Sequence, residues 1–546
     1  MISRESSSTL GQLLLLLLAS TASAIVPEHD AVLRNANDIF NAVNAAGRQW
    51  GSSINYIGFG IYPAYIPAGT MLYHGGPETT APTTPEWLAF DIHHAQHFAL
   101  RDVYRSNKKT DTDSKRTDSK DEENPDDTLT LETGSVDKHA AQKVLTNNSN
   151  NPSQPKSENR SYLQTYQTAK DLKVLYLDGM SAANPDGPHD TWNMLRDNET
   201  TTSPPQDDPM RADPPHAMCK IVNAMGYQAI VRMEMGFEVV YCDFNDGGLD
   251  LVSQVREKPL KKRLSSRFEA TRIPWVRGAV SHYDGLGGKL FIAFSSMFSA
   301  LFYPVSMTDA SGQRRISAMP LQERRELRAD ALQALQYPTK YQRVNWHWQE
   351  ATTAIVARFA GTIAALASGK LTAEFIAAEI EGVAAAYYGY EDDVTVADET
   401  ESANKTFNSV DMCSRELLRP VTMYRNWWTE QDKLLHTAIS AVTEDICSTY
   451  ISSYGELLAA AKQEGLRADD RTSRTMPEAT RWVVKKMRRL KERLAWPEWK
   501  KLQPCADQEV AFTPMFPLGN KNEGWKPACR SSEDLRDMGM DLWDEI

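Results

Sequence analysis

Residues 229–244 read Ala-Ile-Val-Arg-Met-Glu-Met-Gly-Phe-Glu-Val-Val-Tyr-Cys-Asp-Phe. The odd positions Ala229, Val231, Met233, Met235, Phe237, Val239 and Tyr241 are apolar, and Arg232, Glu234, Gly236 and Glu238 stand between them. Side chains alternate across an extended backbone, so the pattern predicts one strand with an apolar face in a core and an ionisable face opposite. Gly236 predicts a bulge or a close backbone approach within that strand. On a straight strand Glu234 and Glu238 stand roughly 13 Å apart, from a rise of ~3.3 Å per residue. That is wider than the ~5 to 9.5 Å of a glycosidase carboxylate pair. A pairing of Arg232 with Glu234 on a solvated face is the plain structural alternative.

The rest of the N-terminal half reads as scaffold around this strand. Residues 30–48 carry helical spacing, with Val32, Leu33, Ile39, Phe40 and Val43 on one face. Thr70-Met-Leu-Tyr-His74 is a short strand stopped by Gly75-Gly76-Pro77, and Trp87–Phe90 is apolar. Asp91 is the expected N-cap of a helix from Ile92. Leu172–Asp178 is a strand ending at Gly179, and residues 217–225 form a helix ending at Gly226. Residues 106–160 are rich in Asp, Lys, Ser, Thr and Asn with few large apolar side chains. Such a stretch cannot bury enough surface to offset its ordering entropy, so a disordered insertion is expected, with Lys115-Arg116 a dibasic processing candidate.

Beyond Pro320 the period becomes helical. Helices are expected at 321–335, 345–367, 372–387, 421–436, 440–463 and 477–494, punctuated by Pro338, Gly369, Pro420, Gly465 and Pro497. The fold class is therefore α+β: an N-terminal mixed α/β sheet domain over 25–310, then an all-α helical domain over 320–500. Residues 501–546 are read as a disulfide-stapled cap with an acidic tail.

The compartment follows from three features. Arg4, the run Leu13–Leu18 and Ala22-Ser23-Ala24 have the layout of a secretory signal cleaved after Ala24, so 1–24 is expected to be removed. The Leu run is too short for a span, which needs ~20 apolar residues, and no transmembrane helix is expected in the mature chain. Six cysteines remain, an even number that favours disulfides, and sequence proximity suggests Cys219–Cys242, Cys413–Cys447 and Cys505–Cys529. Sequons at Asn147, Asn159, Asn198 and Asn404 fit a glycoprotein. Secretion to the cell surface or beyond is the expected localisation. With 60 basic and 72 acidic side chains the chain carries −12, which argues against nucleic acid as the main partner.

Candidate chemistry is sparse. His93 and His97 share a helix face, yet His94 stands where a zinc protease places its water-activating Glu, and no third ligand announces itself. No metal site is expected. Tyr73-His74-Gly75 and the Asp178-Gly-Met-Ser181 turn are candidate walls of a pocket, because polar groups beside glycines let a ligand approach closely. No P-loop, GxGxxG after a strand or GxSxG elbow is present.

Four motifs in order resemble an uncharacterised family of secreted or surface fungal proteins. They are Gly69–Gly75, Pro85–Asp91, Tyr176–Ala182 and Val231–Glu238 with Cys242-Asp-Phe244, and they cover much of residues 55–310. That family carries no assigned activity. The order of His74, Trp87–Phe90 and Glu238 also resembles the ADP-ribosyltransferase fold. The resemblance implies that His74 holds a ribose of a nicotinamide dinucleotide and that Glu238 stabilises an oxocarbenium-like centre. The chain has no Ser-Thr-Ser, and Glu379-Ile-Glu381 falls in a predicted helix. Two hypotheses stand at this point: an enzyme or ligand binder using His74 and Glu238 as catalytic residues, and a non-catalytic extracellular interaction protein. No cofactor or small-molecule partner is named by the residues themselves.

Overall fold

In a computed structural model the chain is described over residues 25–96, 99, 161–181, 190–195, 214–257, 289–336, 347–388, 409–464, 475–513 and 527–537, except 56, 234, 235, 311, 313 and 503. The expected signal, the 106–160 insertion, Lys115-Arg116 and the four sequons lie outside the described residues.

Two short helices, α1 (His29–Arg34) and α2 (Ala36–Ala45), stand where one helix is expected over 30–48, and α3 (Gln49–Ile54) follows. Strands β1 (Ile57–Ile66), β2 (Met71–Gly76), β3 (Glu86–Ala89), β4 (Tyr162–Thr168) and β5 (Leu172–Gly179) follow. Helices α4 (Asp190–Leu195) and α5 (Pro214–Ala224) lead to β6 (Ala229–Met233), β7 (Phe237–Tyr241) and β8 (Leu249–Arg256). Two short strands, β9 (Phe291–Ile292) and β10 (Phe298–Ser299), pair with β1. The sheet order is β10-β1-β5-β6-β7-β3-β2-β4-β8, and only β5–β6 is parallel. The architecture is a mixed sheet followed by a helical region, the expected α+β class.

The long strand of the sequence reading is a hairpin. β6 runs to Met233, β7 returns from Phe237, and Met233 pairs with Phe237. Gly236 sits in the reversal rather than in a bulge. Glycine carries no Cβ, which suits a tight connection. The spacing of roughly 13 Å holds only for one straight strand, and Glu234 lies outside the described residues.

The two sheet faces are covered differently. Tyr62, Tyr176, Phe237 and Tyr241 are buried with Phe294 on one side. α5 covers part of the other, where Cys219 is bonded to Cys242 at the end of β7. The helical region comprises α6 (Leu321–Ala334), α7 (Trp348–Ser368), α8 (Ala373–Ala384), α9 (Ser409–Thr422), α10 (Glu430–Glu464) and α11 (Met476–Leu494). The expected helices at 421–436 and 440–463 are instead one 35-residue helix, α10. α9 was not anticipated, and Pro420 lies inside its last turn. A hairpin of β11 (Glu509–Phe512) and β12 (Ala528–Ser531), then α12 (Ser532–Asp537), closes the described chain.

Hydrophobic contact is continuous across residue 310, near which the sheet gives way to the helical region. One buried cluster runs from Val32 through the sheet to Leu494 and Leu535. Asn41 donates to the Leu494 carbonyl at 3.0 Å, and Gln349 donates to the Ala46 carbonyl at 2.7 Å. Phe40 stacks on Trp496. Asp432, fully buried at the start of α10, accepts from Trp348 Nε1 at 2.8 Å, Ser295 Oγ at 2.8 Å and the Thr429 N–H at 2.9 Å. All three expected disulfides are formed, with Cα separations of 5.4, 5.9 and 5.5 Å. Among the described residues one helix, α7, is long and apolar enough to cross a membrane. In this fold it packs against α2 and α11.

Candidate functional site

β3 is the centre of the site because it pairs with β2 on one side and β7 on the other. Tyr73, Ala89, Glu238 and Arg232 form one row across four strands. Cross-strand neighbours share a face. Glu238 and Arg232 therefore stand side by side, and Arg232 Nε donates to Glu238 Oε1 at 2.5 Å. Their side chains are only 4% and 12% exposed, so this is a buried ion pair. Met218 of α5 closes over it, 3.9 Å from Arg232 Nη1. The hairpin brings Glu238 opposite Arg232, and this face is buried rather than solvated. Glu234 lies outside the described residues.

His74 is one residue beyond Tyr73 on β2, which points it to the other side of the pleat. The recorded β2–β3 pairing is the Tyr73–Ala89 pair. Next to it, His74 Nδ1 bonds the Trp87 carbonyl at 2.8 Å. A carbonyl only accepts, so Nδ1 carries the proton. Burial pushes the imidazole pKa down to about 4, against the opposing pull of the Trp87 carbonyl, so the ring is neutral at neutral pH. Nε2 then presents a lone pair, and no described residue donates to it. It lies over Gly76, where a Cβ would approach to 2.8 Å. The ring also meets the Trp87 indole edge-on, with 5.4 Å between centroids. His74 and Glu238 thus lie on strands separated only by β3 and, because Tyr73 shares the row of Glu238, on opposite sides of the pleat; they are not in contact.

Around His74 the polar groups are unusually buried. Asp91 caps the following helical turn as expected, accepting the His93 and His94 N–H groups at 2.8 and 3.0 Å. His93 is exposed, whereas His94 is fully buried with its pKa lowered to about 3 by desolvation. His97 lies outside the described residues. Burial, then the Asp91 carboxylate, raises the pKa of Tyr73. Gln164 of β4 donates to the Glu78 and Thr80 carbonyls at 3.2 and 3.0 Å, tying the loop after β2 to the sheet. Glycine is required at Gly75, because a Cβ there would lie 2.1 Å from the Ala95 carbonyl oxygen.

The Asp178 turn, the second anticipated wall, belongs to a separate buried cluster at the end of β5. Asp178 accepts the Gly60 N–H at 3.1 Å and the Tyr62 hydroxyl at 3.3 Å. The β1–β5 register shifts between Ile57 and Ile61, and Gly58 packs against Asp178 within that irregularity. Burial raises the Asp178 pKa to about 7, against those two hydrogen bonds. Its signal in the sequence was Gly58-Phe59-Gly60, two glycines that allow a backbone to wrap a carboxylate.

Cys505, Glu509 and Cys529 are the one group of described residues close enough to hold a metal, and the two cysteines are spent on their mutual disulfide.

Residues 27–270 match the family described as the YPL277C N-terminal domain. Over 238 residues the chain is 33% identical to the uncharacterized protein YPL277C of Saccharomyces cerevisiae, which covers 40% of this chain and 43% of that protein. It is 34% identical over 230 residues to the uncharacterized protein YOR389W of the same yeast, covering 40% of this chain and 33% of that one. The chain thus spans less than half the length of these relatives. No solved structure matches it. The matched range takes in α1 to α3, β1 to β8 and every residue of the site, and leaves the helical region outside. The sheet half of this chain is accordingly similar to a domain of an uncharacterised fungal family.

Proposed function

We propose that the sheet half binds a nicotinamide dinucleotide across β2, β3 and β7, in the manner of an ADP-ribosyltransferase. The observation that supports this is adjacency: the three motifs that occur in that order along the chain lie on three neighbouring strands, with the His74 and Glu238 side chains on opposite sides of the pleat. In this reading the neutral His74 offers Nε2 as acceptor to a ribose hydroxyl. Glu238 supplies the negative charge that stabilises an oxocarbenium-like centre as the glycosidic bond breaks, nicotinamide leaves with the bonding pair, and water adds at the ribose C1 with loss of a proton. Arg232 holds that carboxylate in place, and Trp87 offers a ring beside His74.

A second reading is favoured by the ion pair itself. A Glu238 wholly committed to Arg232 is a structural anchor, and the chain is then a non-catalytic interaction protein. We propose in either case that the protein is exported and glycosylated; three disulfides are compatible with an oxidising compartment.

The readings separate in a thermal-shift titration with nicotinamide dinucleotide, using Glu238→Gln because it keeps the hydrogen-bond acceptor. Dinucleotide at 100 times its Kd stabilises a binding-competent fold by about 2.7 kcal/mol. A rise in Tm for the wild type that His74→Ala abolishes supports the enzyme reading. No rise at millimolar ligand leaves the structural one.

A further inference from the structure

A strongly basic strip lies on this acidic chain, away from every residue of the sheet site. Between Arg481 and Arg493 helix α11 carries Arg481, Lys485, Lys486, Arg488, Arg489, Lys491 and Arg493, against a single acid there, Glu492. Its apolar face is buried through Ala479, Val483, Met487, Leu490 and Leu494. Four of these cations have internal tasks. Lys486 donates to Ser452 and lies 4.8 Å over the Trp482 ring. Lys491 lies 5.6 Å over Trp499, and Arg493 forks onto Asp445 at 2.6 and 2.9 Å. Arg488 caps the end of α7 by donating to the Ala367 and Ser368 carbonyls.

Arg481, Lys485 and Arg489 have no such task. All three are exposed, and among the described residues none has an ion-pair partner. They recur every fourth residue, so they form one straight row about 12 Å long at ~1.5 Å rise per residue. Lys370, exposed in the loop after α7 and next to Gly369, which touches Arg488, widens the row at one side. The nearby acids are Glu492 at one end of the row and, on α10, Asp445, which is paired with Arg493, and Glu456, which acts on Lys486. Glu478 is already engaged as a capping-box partner of Thr475.

We propose that this face of α11 is a docking strip for a linear anionic polysaccharide bearing sulfate or phosphate groups. The argument is charge complementarity on a rigid line. Guanidinium forks at both ends match the oxygen pairs of such groups, and a helix held from beneath keeps their spacing fixed. The chain as a whole carries −12, so a polyanion is repelled elsewhere and directed to this row. A bilayer is the poorer partner because no exposed apolar side chain on the strip enters the acyl region; Trp482 is half-buried beneath Lys486. Single-stranded nucleic acid is poorer too, since no exposed ring on the row offers a stacking platform.

The test uses the full chain and heparin as probe. Binding is measured by titration calorimetry from 50 to 300 mM NaCl for the wild type, for Arg481→Gln/Lys485→Gln/Arg489→Gln and for a control of equal charge change, Arg415→Gln/Arg419→Gln/Lys433→Gln. The expected result is saturable binding by wild type and control. The strip variant loses about tenfold or more in affinity, and its slope of log affinity against log salt falls by roughly 2 to 3, near one counterion per cation removed. Circular dichroism keeps loss of fold separate, and a single Arg489→Glu change gives the same direction if the triple variant does not fold. No binding by wild type, equal losses in strip and control variants, or tighter binding to anionic phospholipid vesicles or single-stranded DNA than to heparin overturns the proposal.

Discussion

Removing the Glu238 carboxylate isolates what the buried ion pair contributes. Arg232 and Glu238 are 12% and 4% exposed, beneath Met218 and beside Ala89. With charge centres about 4 Å apart, their attraction at an effective dielectric of about 20 is about 4 kcal/mol. Desolvation of both ions offsets much of that, so the pair as a unit adds little net stability. Breaking it differs from deleting it. Glu238→Ala strands a buried guanidinium and should cost about 3 to 5 kcal/mol, whereas Arg232→Met with Glu238→Leu should fall within about 1 kcal/mol of wild type or exceed it. Glu238→Gln retains an acceptor for Nε and should lie between these limits. Urea unfolding at pH 7, read by tryptophan fluorescence and fitted with a common m-value, gives all four numbers. A cost below about 1 kcal/mol for Glu238→Ala would refute the reasoning. It would mean that water reaches Arg232 and that Glu238 is not held.

Two further outcomes follow from the buried acids. Asp432→Ala removes one carboxylate that ties Trp348, Ser295 and Thr429 together; it should cost about 3 kcal/mol or more in urea unfolding, and Asp432→Asn appreciably less. Asp178 has a folded pKa raised to about 7 from 3.8. A raised acid stabilises fully below its unfolded pKa and loses that contribution as pH rises through the folded value, here from about pH 4 to pH 7. The loss amounts to about 4 kcal/mol at ~1.4 kcal/mol per unit. Asp178→Asn should therefore gain on the wild type steadily between pH 4.5 and 8, and a pH-independent difference between the two would contradict the burial argument.

The hairpin shows why part of the site could not be read from the chain. β6 ends at Met233 and β7 begins at Phe237, and odd residues of β6 face odd residues of β7. Alternation is therefore unbroken across the turn, and a strand and a hairpin have the same pattern. The same parity sets Arg232 opposite Glu238, which no one-dimensional spacing reveals. Asp178 meets Gly60 and Tyr62 from a strand more than a hundred residues away, so only the fold assembles that cluster. Other features were legible because their causes are local. Asp91 caps the turn that follows it, the three disulfides join neighbouring cysteines, and β2 ends at its glycines. A proline reads as a helix break, yet Pro420 sits in the last turn of α9, so the spacing around 420–440 hides both that helix and the start of α10. Thr429 and Asp432, a reciprocal cap of α10, were the sequence signal for the true start.

The most direct measurement is nicotinamide release from the dinucleotide by the purified full chain, with calorimetric binding on the same samples. If β2, β3 and β7 form the proposed site, the wild type binds one equivalent and liberates nicotinamide. Glu238→Gln still binds but turns over at least about a hundredfold more slowly, as loss of a charge-stabilising group costs ~2.7 to 4 kcal/mol. His74→Ala weakens binding. Absence of dinucleotide binding by a folded wild type, or turnover unchanged in Glu238→Gln, contradicts the account.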